Sequence, residues 1–434
     1  MSMSEELVTL IRSRSVRPED QRAASLYFLD ALACAYAGAQ TEVGQKLIAW
    51  SRFGGLNTRT QAFLMGALAH ITETDDLHRA SVTHPGCIVI PAVLATSQQT
   101  SASGEAILAA TLSGFEAMCR IGRAVGPAHY KIWHNTATCG PFGSAMAVSQ
   151  LIGLSAEQCV HALGNAGTQS SGFWQFLESG AMSKHLHAGR AAESGLLAAE
   201  LAQFDFTGAS DILEGEKGLF KAMCPDAQPH AVLDNKHGPW ELTQTSIKPW
   251  PSCRHTHTVI DAALELQAQL GNAVIERVDI GVYQAALNIC DRETVENEYQ
   301  AKFSLQHCAV MALTDGSVSL DSFSSTARAQ SADLCARTNV RIADEVDANY
   351  PKSWGAELRL LLADGRTLSA KRKDCFGDPE LPLSDNEMKD KAIHLLGFGG
   401  LSSDQAIALC NAVLDLPRQE RPTPFMNDFL THIM

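Results

Sequence analysis

The sequence predicts a mainly α-helical protein: a large all-helical bundle domain joined to a smaller α+β lid domain. Three observations carry this. Residues 1 to about 260 place their apolar residues in helical rhythm. These segments are rich in Ala and Gly, which lets helix backbones approach closely, and they lack the long Leu/Ile heptads of a coiled coil. After about residue 270 the pattern changes to short alternating runs separated by turn signals. At 434 residues the chain is also too long for one ordinary core. The change of style sets the helical domain at 1–267 and 396–434, and the lid at 268–395.

The elements follow in order. Ala24 to Ala39 is apolar with a helical period and closes near Gly38. Thr60 to Ile71 and Gly104 to Val125 repeat that style, and a further helix is expected from Ser144 to Leu151. Ser155-Ala156-Glu157-Gln158 carries the chemistry of a capping box and starts another. Val274 to Tyr283 alternates apolar and polar residues, as a half-buried strand does, and Val340-Arg341-Ile342 is a second strand. Trp354 to Leu362 and Thr367 to Lys371 flank Asp364-Gly365, the signature of a hairpin. Helices are expected at Lys302 to Leu313, Asn386 to Leu396 and Ser402 to Leu416, the last returning to the first domain.

Composition narrows the function classes. The formal net charge of -14 argues against nucleic acid as a partner. No apolar run is long enough to span a bilayer, and Met1 to Asp20 has no apolar signal-peptide core, so a cytoplasmic protein without a membrane role is expected. The 12 cysteines are scattered singly through apolar stretches, with no CxxC pair. They read as small buried hydrophobes in a reducing compartment, not as disulfides or a zinc site.

Four polar clusters interrupt the helical half. Glu73-Thr74-Asp75-Asp76-Leu77-His78 runs on to Ser81-Val82-Thr83-His84-Pro85-Gly86, a loop after a helix. His129-Tyr130-Lys131-Ile132-Trp133-His134 precedes Cys139-Gly140-Pro141, where the expected helix start at Ser144 would offer backbone N–H groups to an anion. Ser183-Lys184-His185-Leu186-His187-Ala188-Gly189-Arg190 sets a cationic group into an acidic protein. Lys184 and His187 share a helix face there, and Arg190 follows three residues on. Lys248-Pro249-Trp250-Pro251-Ser252-Cys253-Arg254-His255-Thr256-His257 leads into a helix from Val259. His255 and His257 have no third ligand at a familiar spacing, so no metal is expected. A bundle that gathers all four clusters makes a pocket of His, Lys, Arg and acids. Such a set suits removal of a proton next to a carboxylate, where a base, a charge stabiliser and an acid must converge.

Taken in this order, the clusters resemble the MmgE/PrpD family, which includes 2-methylcitrate dehydratase, cis-aconitate decarboxylase and iminodisuccinate epimerase. The matching stretches are Asp75-Asp76 with Ser81 to Gly86, Trp133-His134 with Thr138-Cys139-Gly140, Lys184 to Ala192, and Lys248 to Cys253 with Thr256-His257. Asp211 to Gly215 and Phe303 to Gln306 are similar too. The resemblance implies a homodimer with a helical domain and an α+β lid, and no metal or other cofactor. It also implies an active-site set of His84, His134, Lys184 and His257 beside the acidic loop. Where the family's loop often reads Asp-x-Asp-Asp-Thr, this chain has Glu73 and Leu77 at the ends, so substrate identity does not transfer.

The expectation is a cofactor-independent lyase acting on a small di- or tricarboxylate, with dehydration placed ahead of decarboxylation. Lys184 or a pocket His moves the proton, and Arg254, Arg190 and Lys248 bind carboxylates, alongside Glu73, Asp75, Asp76 and Tyr130. An epimerase of a related dicarboxylate would use the same groups, with Tyr130 or His129 as acid on the opposite face. A scaffold of the same fold without catalysis is the third reading.

Overall fold

Helices account for 60% of the residues and are joined by one small four-stranded sheet, so the fold is mainly α with a smaller α+β part. The structure is a computed structural model and describes residues 1–422 and 424–434. It divides into two units. The first holds Met1–Ile71, Asp75–Ile247 and Ser384–Met434; the second holds Thr72–Thr74 and Lys248–Leu383.

In the first unit, helix Ser183–Gln203 packs against helices Asn135–Leu151, Thr58–Ala69 and Ala156–Gly167. Small residues make this possible. Ala188, Ala191, Ala192, Ala198 and Ala199 are buried along it, and a Cβ on Gly195 would lie 2.0 Å from Ser144 Oγ and 2.3 Å from the Pro141 carbonyl. Helix Pro18–Ala39 is buried along most of its length, and helix Asp385–Phe398 packs on it. Helix Gly86–Ser97 is buried from Gly86 through Thr96, which suits its apolar sequence. The capping box expected at Ser155 forms with Gln158, and others form at Ser384 and Ser402.

One expected element differs. The helix awaited at Ser144 begins at Asn135, with His134 as its N-cap and Pro141 inside it. A proline inside a helix is disfavoured in isolation, because it lacks an N–H and crowds the preceding turn. Here the surrounding helices bury the whole stretch from Asn135 to Ser149 and hold it helical.

In the second unit, the strands are β1 (Ile275–Val282), β2 (Thr338–Ile342), β3 (Ala356–Leu362) and β4 (Thr367–Arg372), in the order β2-β1-β3-β4. β1 and β2 are parallel, while β1–β3 and β3–β4 are antiparallel. β3 buries Ala356, Leu358, Leu360 and Leu362 on one face, the two-residue period that alternation predicts. The β3–β4 turn carries Gly365 at φ 85°. Helix His257–Leu270 packs against β3 and β4 and against helix Leu305–Asp315. This unit therefore starts at Lys248, ahead of the change of style near 268, and ends at Leu383, because helix Asp385–Phe398 packs on Pro18–Ala39 instead.

All 12 cysteines are buried, and none is in a disulfide. Among the described residues, no helix is long and apolar enough to cross a membrane.

Candidate active site

The acidic loop connects helix Thr58–Ala69 to helix Gly86–Ser97, and it is buried rather than solvated. His70 sits at the C-cap of the first helix and is fully buried. Its Nδ1 lies 2.6 Å from Asp75 Oδ2. His84 Nδ1 lies 2.6 Å from the Asp76 carbonyl oxygen and 3.2 Å from the same Asp75 Oδ2. Carbonyl and carboxylate oxygens accept, so Nδ1 carries a hydrogen in both rings and Nε2 is the nitrogen left for other partners. His70 Nε2 has no hydrogen-bond partner among the described residues.

Asp76 does different work. Its two oxygens accept from the Gly86 N–H at 3.0 and 3.1 Å, which caps the helix that follows. Burial, then the charges of Asp75 and Asp30, push its carboxyl well above the usual range. The loop is also pinned by Asn135 Nδ2 donating to the Ser81 carbonyl at 2.8 Å, and by His78 Nε2 against Glu241 at 3.0 Å. Val82 has φ 51°, a left-handed conformation rarely taken by a β-branched residue, so local strain concentrates in this loop.

His134 stacks on His70, with ring centroids 5.8 Å apart and planes at 14°. Its Nδ1 is 3.3 Å from His187 Nδ1. Burial, then the charges of His70 and His187 and of Lys184 and His84, hold His134 well below the usual histidine range. Burial and the same kind of neighbours lower His187 to about 4. Both rings are therefore neutral at neutral pH. Lys184 is buried on the first turn of helix Ser183–Gln203, close enough for its charge to act on His134, His187 and Cys87. The first unit thus brings together His70, Asp75, His84, His134, His187 and Lys184. A cavity of about 390 Å³ adjoins the cluster and is lined by His187, Arg190, Phe173 and Phe176, among others.

The other expected residues are placed as follows. Tyr130 packs edge-on against Trp174 at 5.2 Å. Both nitrogens of His129 are engaged, with the Met223 carbonyl at 2.9 Å and Thr138 Oγ1 at 2.8 Å, which makes it a structural residue. Arg190 is half exposed, and its guanidinium pairs with Glu193 at 2.6 Å.

The fourth cluster does not belong to the helical bundle; it lies in the second unit, together with Glu73. Lys248 Nζ is 3.3 Å from Glu73 Oε2, and both are buried. Glu73 has φ 60°, a strained conformation for a non-glycine residue. His257 Nε2 donates to the Ser252 carbonyl at 3.2 Å, which leaves Nδ1 with the lone pair and no partner among the described residues. Burial, then the charges of Arg254 and Lys248, keep that ring far below the usual range. Arg254 Nη2 donates to Asp378 at 2.5 Å, while its Nε and Nη1 lack partners among the described residues. His255 stacks flat on Trp354 at 4.5 Å, and its Nδ1 is 2.6 Å from Tyr283 Oη, so it packs into the second unit.

Sequence reasoning missed His70 and Tyr299. Tyr299 Oη is buried without a partner among the described residues, in the second unit, and burial followed by the charge of Glu73 raises it well above the tyrosine range. His70 is a single polar residue at a helix end, five positions before Asp75, which is too little signal to single out. His70, Asp75 and His84 also place three ligand-type atoms within 4.8 Å of one another. With Nδ1 of both rings donating to oxygen, Nε2 is the nitrogen of each that remains to exchange a proton or meet a ligand.

The fold and the clusters define a mainly helical protein with histidine, lysine and carboxylate groups buried together in its first unit. The chain belongs to the MmgE/PrpD family: the model of the family's N-terminal domain matches residues 6–231, and that of its C-terminal domain matches residues 250–416. Its relatives include the cis-aconitate decarboxylase of Mus musculus, 27% identical over 395 residues, covering 84% of this chain and 80% of that protein. The cis-aconitate decarboxylase of Homo sapiens is 26% identical over 400 residues, with the same coverage. That of Aspergillus terreus is 25% identical over 417 residues, covering 86% and 84%.

Proposed function

We propose that this protein is a lyase that decarboxylates a small unsaturated tricarboxylate of the cis-aconitate type by proton transfer alone, as a cytosolic homodimer. The observation that carries the proposal is the buried trio of His70, Asp75 and His84, packed with His134 and influenced by Lys184, in a chain of this family. The relatives named above are decarboxylases, which favours loss of carbon dioxide over the dehydration that the sequence placed first.

The chemistry balances simply. The bond from carbon to one carboxylate breaks, and its electron pair moves into the conjugated system. A protonated side chain then delivers one proton to the resulting carbanion. The product is a dicarboxylate, with one carbon dioxide released and one proton consumed. Lys184 and His84 are the groups proposed to hold that proton. His134 and His187, held neutral, accept hydrogen bonds and do not compete as cations. Positive charge at the site favours bound carboxylates, and a buried setting strengthens every such interaction.

The test is incubation with cis-aconitate, 2-methylcitrate and amino-dicarboxylates in deuterated water. Carbon dioxide release with one deuterium in the product supports decarboxylation. Loss of water identifies a dehydratase, and deuterium wash-in with inversion and no loss of mass identifies an epimerase. Either outcome overturns the decarboxylase reading, as does inertness towards cis-aconitate.

A further inference from the structure

Asp75 serves two imidazoles with one oxygen. His70 approaches Oδ2 at 2.6 Å, whereas His84 approaches the same atom at 3.2 Å and leans more closely on the Asp76 carbonyl, at 2.6 Å. His70 hydrogen-bonds that oxygen, whereas His84 gives its Nδ1 hydrogen to the Asp76 carbonyl and meets the carboxylate only as a charge, so the two rings share one anion unequally. The other buried histidines of the loop and its surroundings spend both nitrogens on the fold: His78 on Ser81 and Glu241, His129 on Met223 and Thr138. His70 alone of these three spends only Nδ1, and its ring is held at 4.7 Å from His84 and 5.8 Å from His134.

We propose that His70 is a positioning residue that competes with His84 for Asp75 and so sets how strongly His84 holds a proton on Nε2. The inference rests on the acid–base reading of this cluster, but His84 answers to Asp75 whether or not the substrate is the one proposed. A histidine that faces a full carboxylate charge holds its proton tightly and releases it slowly. One that faces a shared charge gives the proton up closer to neutral pH. The competition therefore moves His84 towards the range useful to an acid that must deliver a proton in each turnover.

Other groups act on these rings. Lys184 and His187 come from helix Ser183–Gln203, His134 from the cap of helix Asn135–Leu151, and Cys87 from helix Gly86–Ser97. Asp76 lies on the loop itself and is influenced by Asp30 and Lys391, which pair with each other at 2.5 Å. A substitution at position 70 also removes the His70 charge that lowers His134 and His187, so His70→Asn, which removes that charge but keeps an N–H, is the control for it.

The experiment is an NMR titration of the full-length, substrate-free protein carrying labelled histidine, with the His84 signal assigned by its disappearance in His84→Gln. His70→Phe keeps the ring and removes the donor, so the His84 midpoint should rise by about one pH unit. His70→Asn keeps an N–H where Nδ1 stood, so its midpoint should match the wild type. Asp75→Asn removes the contested charge, and the midpoint should fall by about one unit. Equal midpoints in the wild type and His70→Phe would overturn the proposal, as would a shift in His70→Asn as large as that in His70→Phe. If His70→Phe does not fold, His70→Leu, which also removes the donor, takes its place with the same expected rise, and a midpoint equal to the wild type overturns the proposal. No substrate is present, so failure of the decarboxylation assay leaves this result standing, and an unshifted titration leaves the decarboxylase reading standing.

Discussion

Lys184 and His257 illustrate how much a buried polar residue depends on its partners. Lys184 is 3% exposed and its charge reaches two neutral histidines. His257 presents a lone pair on Nδ1 because the Ser252 carbonyl holds its other hydrogen. Lys184→Ala and His257→Ala should each lower kcat by roughly 10²- to 10⁴-fold, the usual yield of a positioned proton-transfer group, with the far-ultraviolet circular dichroism unchanged. Near-wild-type turnover in either variant would remove that residue from the mechanism. His84, His134, Lys184 and His257 could be picked out as candidates in the sequence because each lies in a polar cluster at a helix boundary and the family resemblance points to the same four. His70 and Tyr299 could not be, since nothing in their flanking residues separates them from ordinary helix-end and helix-interior positions. Arg190 and Lys248 stood out as cations, but burial and pairing depend on residues distant in sequence. Arg190 meets Glu193 at the surface, and Lys248 is paired with Glu73, 175 positions away.

At the scale of elements, the first unit is a problem in close approach. Helix Ser183–Gln203 carries Lys184 and His187 at its start and is seated by small residues along its length. Gly195 is the tightest of these, with Ser144 Oγ and the Pro141 carbonyl in the space a side chain would fill. Gly195→Ala should destabilise the protein by about 1–3 kcal/mol, because the obstacle includes backbone and cannot rotate away. Thermal melting checks this, and an unchanged midpoint would show that the two helices can part without cost. The helix Asn135–Leu151 shows the opposite side of sequence reading. Its Pro and Gly residues advertise a break at Pro141, and packing against neighbouring helices keeps it continuous, which makes His134 the cap of a long helix instead of a loop residue.

At the scale of the whole molecule, stability and proton binding are linked. His134, His187, His255 and His257 are all depressed, with His187 at about 4 and His255 at about 3, chiefly by burial. Unfolded histidines bind protons from about pH 6.5 downward, so below that pH the unfolded chain binds more protons than the folded one and stability falls. His129 and His307 are lowered as well, while the raised carboxyls of Asp76, Asp261 and Glu200 act in the other direction, three groups against six. The melting temperature should therefore decline steadily from about pH 6.5 to pH 4, and a flat profile across that window would show that these rings are not buried neutral. The fold class, the hairpin with its Asp-Gly turn, and the positions where polar residues meet helix ends all follow from the order of neighbouring residues. Periodicity, capping and turn chemistry are local, and they are written in neighbouring residues. Only the tertiary structure decided that Asp75 would be shared by His70 and His84, that Asp76 would cap a helix, and that the acidic loop would divide, with Glu73 beside Lys248. Those outcomes depend on which chain segments are packed together and dried out, and no local pattern encodes the loss of water that makes a single carboxylate oxygen worth competing for.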